Sequence, residues 1–146
     1  MQVCGMLASR RIDEIDGVFK VSSRINSTWG GNLVDMVRSA AYLEVIDEEG
    51  LLENSRVVGD HLLAHLEALV EEFAGLVTAA RGRGLMCAFD LPSDGIRQRF
   101  LRAAREKGVL MLGCGERSMR FRPALLITKA EVDTGIERIR EALKTL

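Results

Sequence analysis

A loop with two glycines and several hydrogen-bonding side chains precedes the first long periodic segment. It covers residues 24–32 and reads Arg-Ile-Asn-Ser-Thr-Trp-Gly-Gly-Asn. Adjacent glycines allow backbone conformations closed to other residues, and asparagine is a favoured helix N-cap, so free N–H groups point outward here. With Asn26, Ser27, the Thr28 hydroxyl and the Trp29 ring, the loop fits a phosphate held beside an aromatic ligand. The alternative is a capped turn whose tryptophan fills a core.

Two arginines alternate with apolar residues in the segment Ser-Met-Arg-Phe-Arg-Pro at residues 118–123. In a strand, this alternation places the two apolar side chains on one face and Arg120 and Arg122 on the other. A guanidinium matches a carboxylate with two parallel hydrogen bonds, so both arginines are candidate carboxylate binders. The following Pro123 biases Arg122 towards extended backbone. The alternative is a solvated strand face with two surface cations.

Two histidines, His61 and His65, lie four residues apart in a helical segment, so they share one face and could bind a metal together. Residue 62 is leucine, so the HExxH pattern is absent, and the local spacing offers no third ligand. We therefore interpret both as ordinary histidines beside an apolar stripe and predict no metal site.

The Arg-Gly-Arg-Gly segment at residues 81–84 invites a phosphate-loop interpretation. A dinucleotide fingerprint carries further glycines and opens a helix, whereas these glycines lead into a strand-like segment. We interpret the two glycines as part of the connection between predicted strands at 76–79 and 85–91.

Hydrophobic periodicity predicts four helices that must position these groups. They run from residue 33 to near 50, from 51 to before 75, from 96 to a stop at Gly108, and from Thr128 to the end of the chain. Thr128 and Glu131 form a predicted capping box. The predicted core stripe of the last helix is Val132, Ile136, Ile139 and Leu143.

Further β-prone segments are predicted at residues 3–7, 18–21 and 109–112, the last as a buried strand, with a turn at 13–17.

Composition is that of an ordinary globular protein, with 146 residues, 47% hydrophobic, 28% charged, and a net charge of −1. This balance indicates neither a nucleic-acid nor a membrane partner, and no apolar stretch approaches the ~20 residues of a membrane helix. Cys4, Cys87 and Cys114 are odd in number and lack CxxC spacing, which favours a reducing cytoplasm over a disulfide framework.

Three motifs in order resemble the C-terminal third of class III pyridoxal-phosphate-dependent aminotransferases. They are Asn-Ser-Thr-Trp-Gly-Gly-Asn at 26–32, Arg-Gly-Arg-Gly-Leu-Met at 81–86 and Arg-Phe-Arg-Pro at 120–123. The chain is most similar to the lysine ε-aminotransferase branch, because Leu33 follows Gly-Gly-Asn and Met-Cys-Ala-Phe at 86–89 also fits. The resemblance implies an α/β fold that is part of a fold type I subunit: residues 1–31 end the large cofactor domain, and 32–146 form a small α+β domain of sheet and covering helices.

The resemblance also implies roles for individual residues. Thr28 would reach across a homodimer interface to the pyridoxal 5'-phosphate of the neighbouring subunit, with Ser27 as a second cofactor-binding candidate. Arg122 would bind the α-carboxylate of glutamate or 2-oxoglutarate, and Asn26 would line the substrate pocket.

The family's catalytic lysine, which forms the Schiff base with the cofactor, lies immediately before the Gln-Val-Cys-Gly segment, here residues 2–5 after Met1. We therefore assign no catalytic residue and expect these 146 residues to be an inactive fragment of an enzyme that transfers the ε-amino group of L-lysine to 2-oxoglutarate. Two alternatives stay open: a non-catalytic anion- or protein-binding module, and an aminotransferase with another ω-amino donor such as ornithine or 4-aminobutyrate.

Overall fold

The computed structural model describes residues 7–15, 20–22, 24 and 28–146. The chain divides into two compact units, Met1–Glu48 and Glu49–Leu146. Its helices are α1 (Arg10–Asp13), α2 (Leu33–Glu48), α3 (Leu51–Glu72), α4 (Asp94–Glu106) and α5 (Lys129–Leu143), and its strands are β1 (Thr78–Arg83), β2 (Met86–Asp90), β3 (Leu112–Cys114) and β4 (Ser118–Phe121). None of the helices in these ranges has the length and hydropathy that crossing a membrane requires.

In the first unit, the start of α2 is set by the glycine and asparagine before it. Gly31 has a φ of +76°, a conformation that favours glycine, and the Asn32 Oδ1 accepts a hydrogen bond of 3.0 Å from the Val34 N–H. The predicted N-cap is therefore confirmed. Trp29 is largely exposed and does not fill a core among the described residues, and no residue of α2 is buried.

Of the two β-prone segments predicted near the N-terminus, residues 3–6 of the first and residues 18–19 of the second lie outside the described residues. Part of the turn predicted at 13–17 lies there too. Asp13 instead ends the short helix α1, and residues 20 and 21 form a bend.

The second unit is a four-stranded antiparallel sheet in the order β1-β2-β4-β3, covered by three helices. α3 packs on β1 and β2, while α5 packs on both α3 and α4. The Phe89 ring of β2 meets the Phe100 ring of α4 edge-on, with centroids 5.8 Å apart. Cys87 and Met119 are buried beside them, so the helix-covered face of the sheet carries the core. The predicted small sheet covered by helices is confirmed.

The helix ends of the second unit follow the predicted signals. The Thr128 Oγ1 accepts a hydrogen bond from the Glu131 N–H at 3.3 Å, and the Thr128 N–H donates to Glu131 Oε2 at 2.9 Å, which confirms the capping box. Gly108, with a φ of +80°, follows the end of α4 as predicted. All four predicted stripe residues of α5 are buried.

The strand predictions were partly wrong in their bounds. β1 runs through Arg81, Gly82 and Arg83, which pair with Ala88, Cys87 and Met86 of β2, so these residues belong to a strand and not to the segment between strands. A β-carbon on Gly82 would lie 2.4 Å from the Cys87 Sγ, and only glycine allows this approach. Its glycine content made this part of β1 resemble a loop.

The buried strand predicted at residues 109–112 was also wrong. β3 begins only at Leu112, and all three of its residues are exposed. The Val109 N–H is instead bonded to the Ala104 carbonyl at 2.9 Å, as part of the C-terminal turn of α4.

Candidate functional site

The guanidinium of Arg122 is available for an anion. The residue follows the last residue of β4 and precedes Pro123, so its backbone has left the sheet while still continuing an extended segment. Its side chain is exposed, and within the described part of the chain no carboxylate or carbonyl pairs with it. With respect to the described residues, the guanidinium donors of Arg122 are therefore left for a ligand.

An apolar cavity of about 200 Å³ opens beside this arginine. Arg120 and Arg122 both line it, together with the apolar residues Leu62, Val109, Phe121, Ile127, Val132 and Ile136. Glu131 also lines the cavity, but its Oε2 already accepts from the N–H and the hydroxyl of Thr128, at 2.9 and 2.8 Å. The cavity thus combines an apolar wall with positive charge, as a site for a carboxylate with a hydrocarbon chain requires.

The loop that follows Arg122 is fixed by one side-chain amide. The Asn54 Nδ2 of α3 donates to the carbonyl of Leu125 at 2.7 Å and to that of Ile127 at 3.1 Å. The capped N-terminus of α5 follows directly at Thr128. The segment between Arg122 and α5 is therefore fixed by β4 before it, by the capped start of α5 after it, and by the Asn54 hydrogen bonds within it.

Thr28, the candidate for the cofactor phosphate, lies in the turn formed by residues 28–31, directly before the N-cap of α2. Its side chain is exposed, and its hydroxyl has no hydrogen-bond partner among the residues that the structure describes. Asn26 and Ser27 lie outside the described residues. Thr28 belongs to the first unit and Arg122 to the second.

Arg81, by contrast, is part of a hydrogen-bonded network at one end of the sheet. Its Nη2 lies 3.0 Å from both the Asp90 Oδ1 and the Ser118 Oγ, and the Ser118 hydroxyl donates to the same Asp90 oxygen at 2.6 Å. Arg117 Nε lies 3.7 Å from Asp90 Oδ2. Burial raises the pKa of Asp90, but these hydrogen bonds and the two arginine charges outweigh it and hold the pKa below 3.8.

The histidine pair has a partner that the local spacing did not reveal. Asp133 of α5 places its Oδ1 2.6 Å from His61 Nε2 and 2.9 Å from His65 Nε2. The hydrogen bond from His61 is the largest cause of a lowered pKa of Asp133. Asp133 lies 68 residues from His65, so only the packing of α5 on α3 brings them together.

Residues 5–143 match the family model of class III aminotransferases, and the chain belongs to this family. It is 49% identical over 143 residues to the L-lysine-epsilon aminotransferase of Mycobacterium tuberculosis, covering 97% of this chain and 32% of that protein. The L-lysine-epsilon aminotransferase of Amycolatopsis lactamdurans is 49% identical over 144 residues, with the same coverage. Human mitochondrial 4-aminobutyrate aminotransferase is 40% identical over 103 residues, covering 70% of this chain and 21% of that protein.

The fold agrees with these sequence relationships. A structure of lysine aminotransferase from M. tuberculosis superimposes with a TM-score of 0.87 at 48% identity, covering 97% of this chain and 33% of that structure. A more distant transaminase at 24% identity shares the fold with a TM-score of 0.75. The chain spans about a third of the length of the curated lysine aminotransferases it matches.

Proposed function

We propose that this chain forms the C-terminal part of a pyridoxal-phosphate-dependent aminotransferase that transfers the ε-amino group of L-lysine to 2-oxoglutarate. The observation that carries the proposal is the exposed guanidinium of Arg122, which lies beside an apolar cavity and has no partner among the described residues. The 49% identity to two lysine aminotransferases favours lysine as the amino donor.

In this proposal, Arg122 binds the α-carboxylate of the amino acid or oxo acid. The two parallel hydrogen bonds of an arginine and a carboxylate fix the orientation of the substrate as well as its position. The apolar wall of the cavity excludes water on one side, which strengthens this charged contact. Asn26 is the second substrate-binding candidate, as the family resemblance implies.

Thr28 and Ser27 bind the cofactor phosphate, and the site is completed by a second subunit of a homodimer. The exposed Thr28 hydroxyl in a turn before a helix N-terminus fits this role, since hydroxyl and backbone N–H donors both suit a phosphate oxygen. The bound cofactor supplies an electron sink for the amino-group transfer. Residues 1–31 then end the large cofactor domain, residues 32–146 form the small domain, and the whole enzyme is cytoplasmic.

A chimera tests the proposal. This chain replaces the matching C-terminal third of the M. tuberculosis lysine aminotransferase, and glutamate formation is measured with lysine and 2-oxoglutarate. We expect lysine-dependent activity, and we expect Arg122→Ala to lower kcat/KM by about 10- to 100-fold, because a hydrogen bond to a charged group contributes about 1.5–3 kcal/mol. Arg102→Ala, at an exposed arginine of α4, is the matched control and leaves activity unchanged.

The same assay distinguishes the alternatives. The 40% identity to human 4-aminobutyrate aminotransferase makes another ω-amino donor the second candidate, so ornithine and 4-aminobutyrate are offered as well. A preference for either one would replace lysine as the proposed donor. A folded chimera that binds the cofactor but uses none of the donors would contradict the aminotransferase proposal and favour a binding module.

The 146 residues expressed as they stand should be inactive. The resemblance places the cofactor-binding lysine before residue 2, and no lysine of this chain occupies that position. We expect no lysine-dependent glutamate formation from the purified chain at any cofactor concentration. Measurable turnover would show that another group supplies the amine.

A further inference from the structure

We propose that His61, His65 and Asp133 form a binding site for a divalent transition-metal ion. Zn²⁺ is the ion used to test it. One possible ligand atom from each of the three residues lies within 4.8 Å of the other two. Both imidazoles aim at the same oxygen, at 2.6 and 2.9 Å, and the two rings meet edge-on with centroids 4.6 Å apart.

The fold positions these three side chains from two packed helices. His61 and His65 are one turn apart on α3, directly before the buried Leu62 and Leu66. Asp133 directly follows the buried Val132 of α5. Because the two apolar stripes pack against each other, the polar residues beside them meet at the edge of the helix pair. The three proposed ligand residues therefore lie on two packed helices and not on a loop.

The donor set suits a particular class of ion. Two neutral imidazoles and one carboxylate match Zn²⁺, Ni²⁺ or Cu²⁺, whereas Mg²⁺ and Ca²⁺ prefer oxygen ligands alone. No described lysine or arginine forms an ion pair with Asp133, so its negative charge is available to the ion. In the bound state each ring coordinates the ion through Nε2 as a neutral imidazole with its proton on Nδ1, and a neutral ring that held its proton on Nε2 reaches this form by moving that proton to Nδ1 through solvent.

The two contacts with Asp133 need only a small movement to admit an ion. With metal–ligand distances of about 2.0–2.2 Å, the ligands of a tetrahedral site lie about 3.3 Å apart, so the present contacts must open by about half an ångström. The side chains of His61, His65 and Asp133 are 28%, 31% and 48% exposed, which allows this adjustment. The same exposure leaves the fourth position to water.

Metal titration of the untagged 146-residue chain tests the proposal. We expect one Zn²⁺ per chain by calorimetry and a tetrahedral visible spectrum with Co²⁺. His61→Ala, His65→Ala and Asp133→Asn should each weaken Zn²⁺ binding by at least about tenfold, since changes to second-shell partners alone cost about 10- to 100-fold. Glu137→Gln, at an exposed carboxylate one turn further along α5, is the control and should bind as the parent does.

NMR of the unsubstituted chain tests the proposal even where a variant fails to fold. The chain has only two histidines, so its imidazole NMR signals report on this cluster alone. Both signals should shift or broaden together as one equivalent of Zn²⁺ is added. Unperturbed imidazole signals, or equal affinity in the three ligand variants and the control, would overturn the metal site and leave a hydrogen-bonded link between two helices. Neither result depends on aminotransferase activity.

Discussion

A β-carbon on Gly59 would lie 2.3 Å from the carbonyl carbon of Gly84. Helix α3 therefore crosses the turn between β1 and β2 with backbone against backbone. A β-carbon on Gly84 would in turn lie 2.8 Å from the Ser55 Oγ, and Gly84 has a φ of +53°. Gly59 of α3 and Gly84 of the β1–β2 turn therefore both allow the same close contact between the helix and the turn.

Substitution of Gly59 should destabilise the second unit. Gly59→Ala forces α3 away from the hairpin, and overpacking of this kind costs about 1–3 kcal/mol in the free energy of unfolding. Urea denaturation followed by circular dichroism measures the change. Gly135→Ala is the matched control, because a β-carbon on this α5 glycine would have no described residue within 4 Å beyond the neighbouring backbone of its own helix. Alanine there should stabilise by about 0.5–1 kcal/mol, and an equal effect at both positions would refute the close contact.

The Asp90 network should make stability depend on pH in a defined window. The folded-state pKa of Asp90 is lowered, so its contribution is complete above the ordinary pKa of 3.8 and is lost as the pH falls through 3.8 towards the lower folded value. Asp90→Asn should cost about 1–2 kcal/mol at pH 7, a modest figure because its arginine partners are half-exposed. Urea unfolding of parent and variant at pH 7 and pH 3 checks this.

The difference between parent and Asp90→Asn should shrink as the pH falls from 5 to 3, since a protonated aspartic acid resembles the amide. Glu71→Gln, at an exposed carboxylate of α3, should show no such difference. A gap between parent and Asp90→Asn that stays constant with pH would exclude the proposed ionic contribution.

The exposed apolar face of α2 should cause self-association of the isolated chain. Val37 and Leu43 are 73% and 66% exposed, and no residue of this helix is buried. Large exposed apolar patches promote association. Sedimentation should therefore show dimers or larger species, and the double variant Val37→Glu/Leu43→Glu should shift them towards monomer. Asp47→Asn on the same helix serves as the control, and a monomeric parent chain would contradict the prediction.

Removal of the Thr28 hydroxyl should weaken cofactor binding in the chimera. Thr28→Val keeps the shape but loses one hydrogen bond to a charged phosphate, so the apparent Kd of pyridoxal 5'-phosphate should rise about 10- to 100-fold. Thr28→Ser retains the hydroxyl and should bind nearly as the parent does. Fluorescence titration measures both variants. Equal affinity for Val and Ser would remove Thr28 from the cofactor site.

The helices of the second unit could be predicted because each depends on local signals. The capping box of Thr128 and Glu131, and the stop at Gly108, act within a few residues of the helix ends they define. The bounds of β1 could not be predicted in this way. They depend on pairing with β2 and on the close approach of Gly82 to Cys87, which its neighbours in sequence do not encode.

The residues of the candidate sites also fall into those that local sequence indicates and those that only packing brings together. Alternation makes both Arg120 and Arg122 candidates, and the family resemblance selects the arginine before the proline, Arg122, which has no partner among the described residues. Asp133 could not be found beside His61 and His65, because its contact with them requires two helices far apart in sequence to pack side by side. The roles of Thr28, Ser27, Asn26 and Arg122 in binding stay predictions.

The two hydrogen bonds from Asn54 have a consequence for recognition at Arg122. They hold the carbonyls of Leu125 and Ile127 in place, so the segment after the arginine is ordered before any anion arrives. Binding of an anion then restricts mainly the rotamers of the Arg122 side chain. The conformational entropy of the main chain after Arg122 is lost on folding and not on binding. Preorganisation of this kind raises affinity without adding a contact.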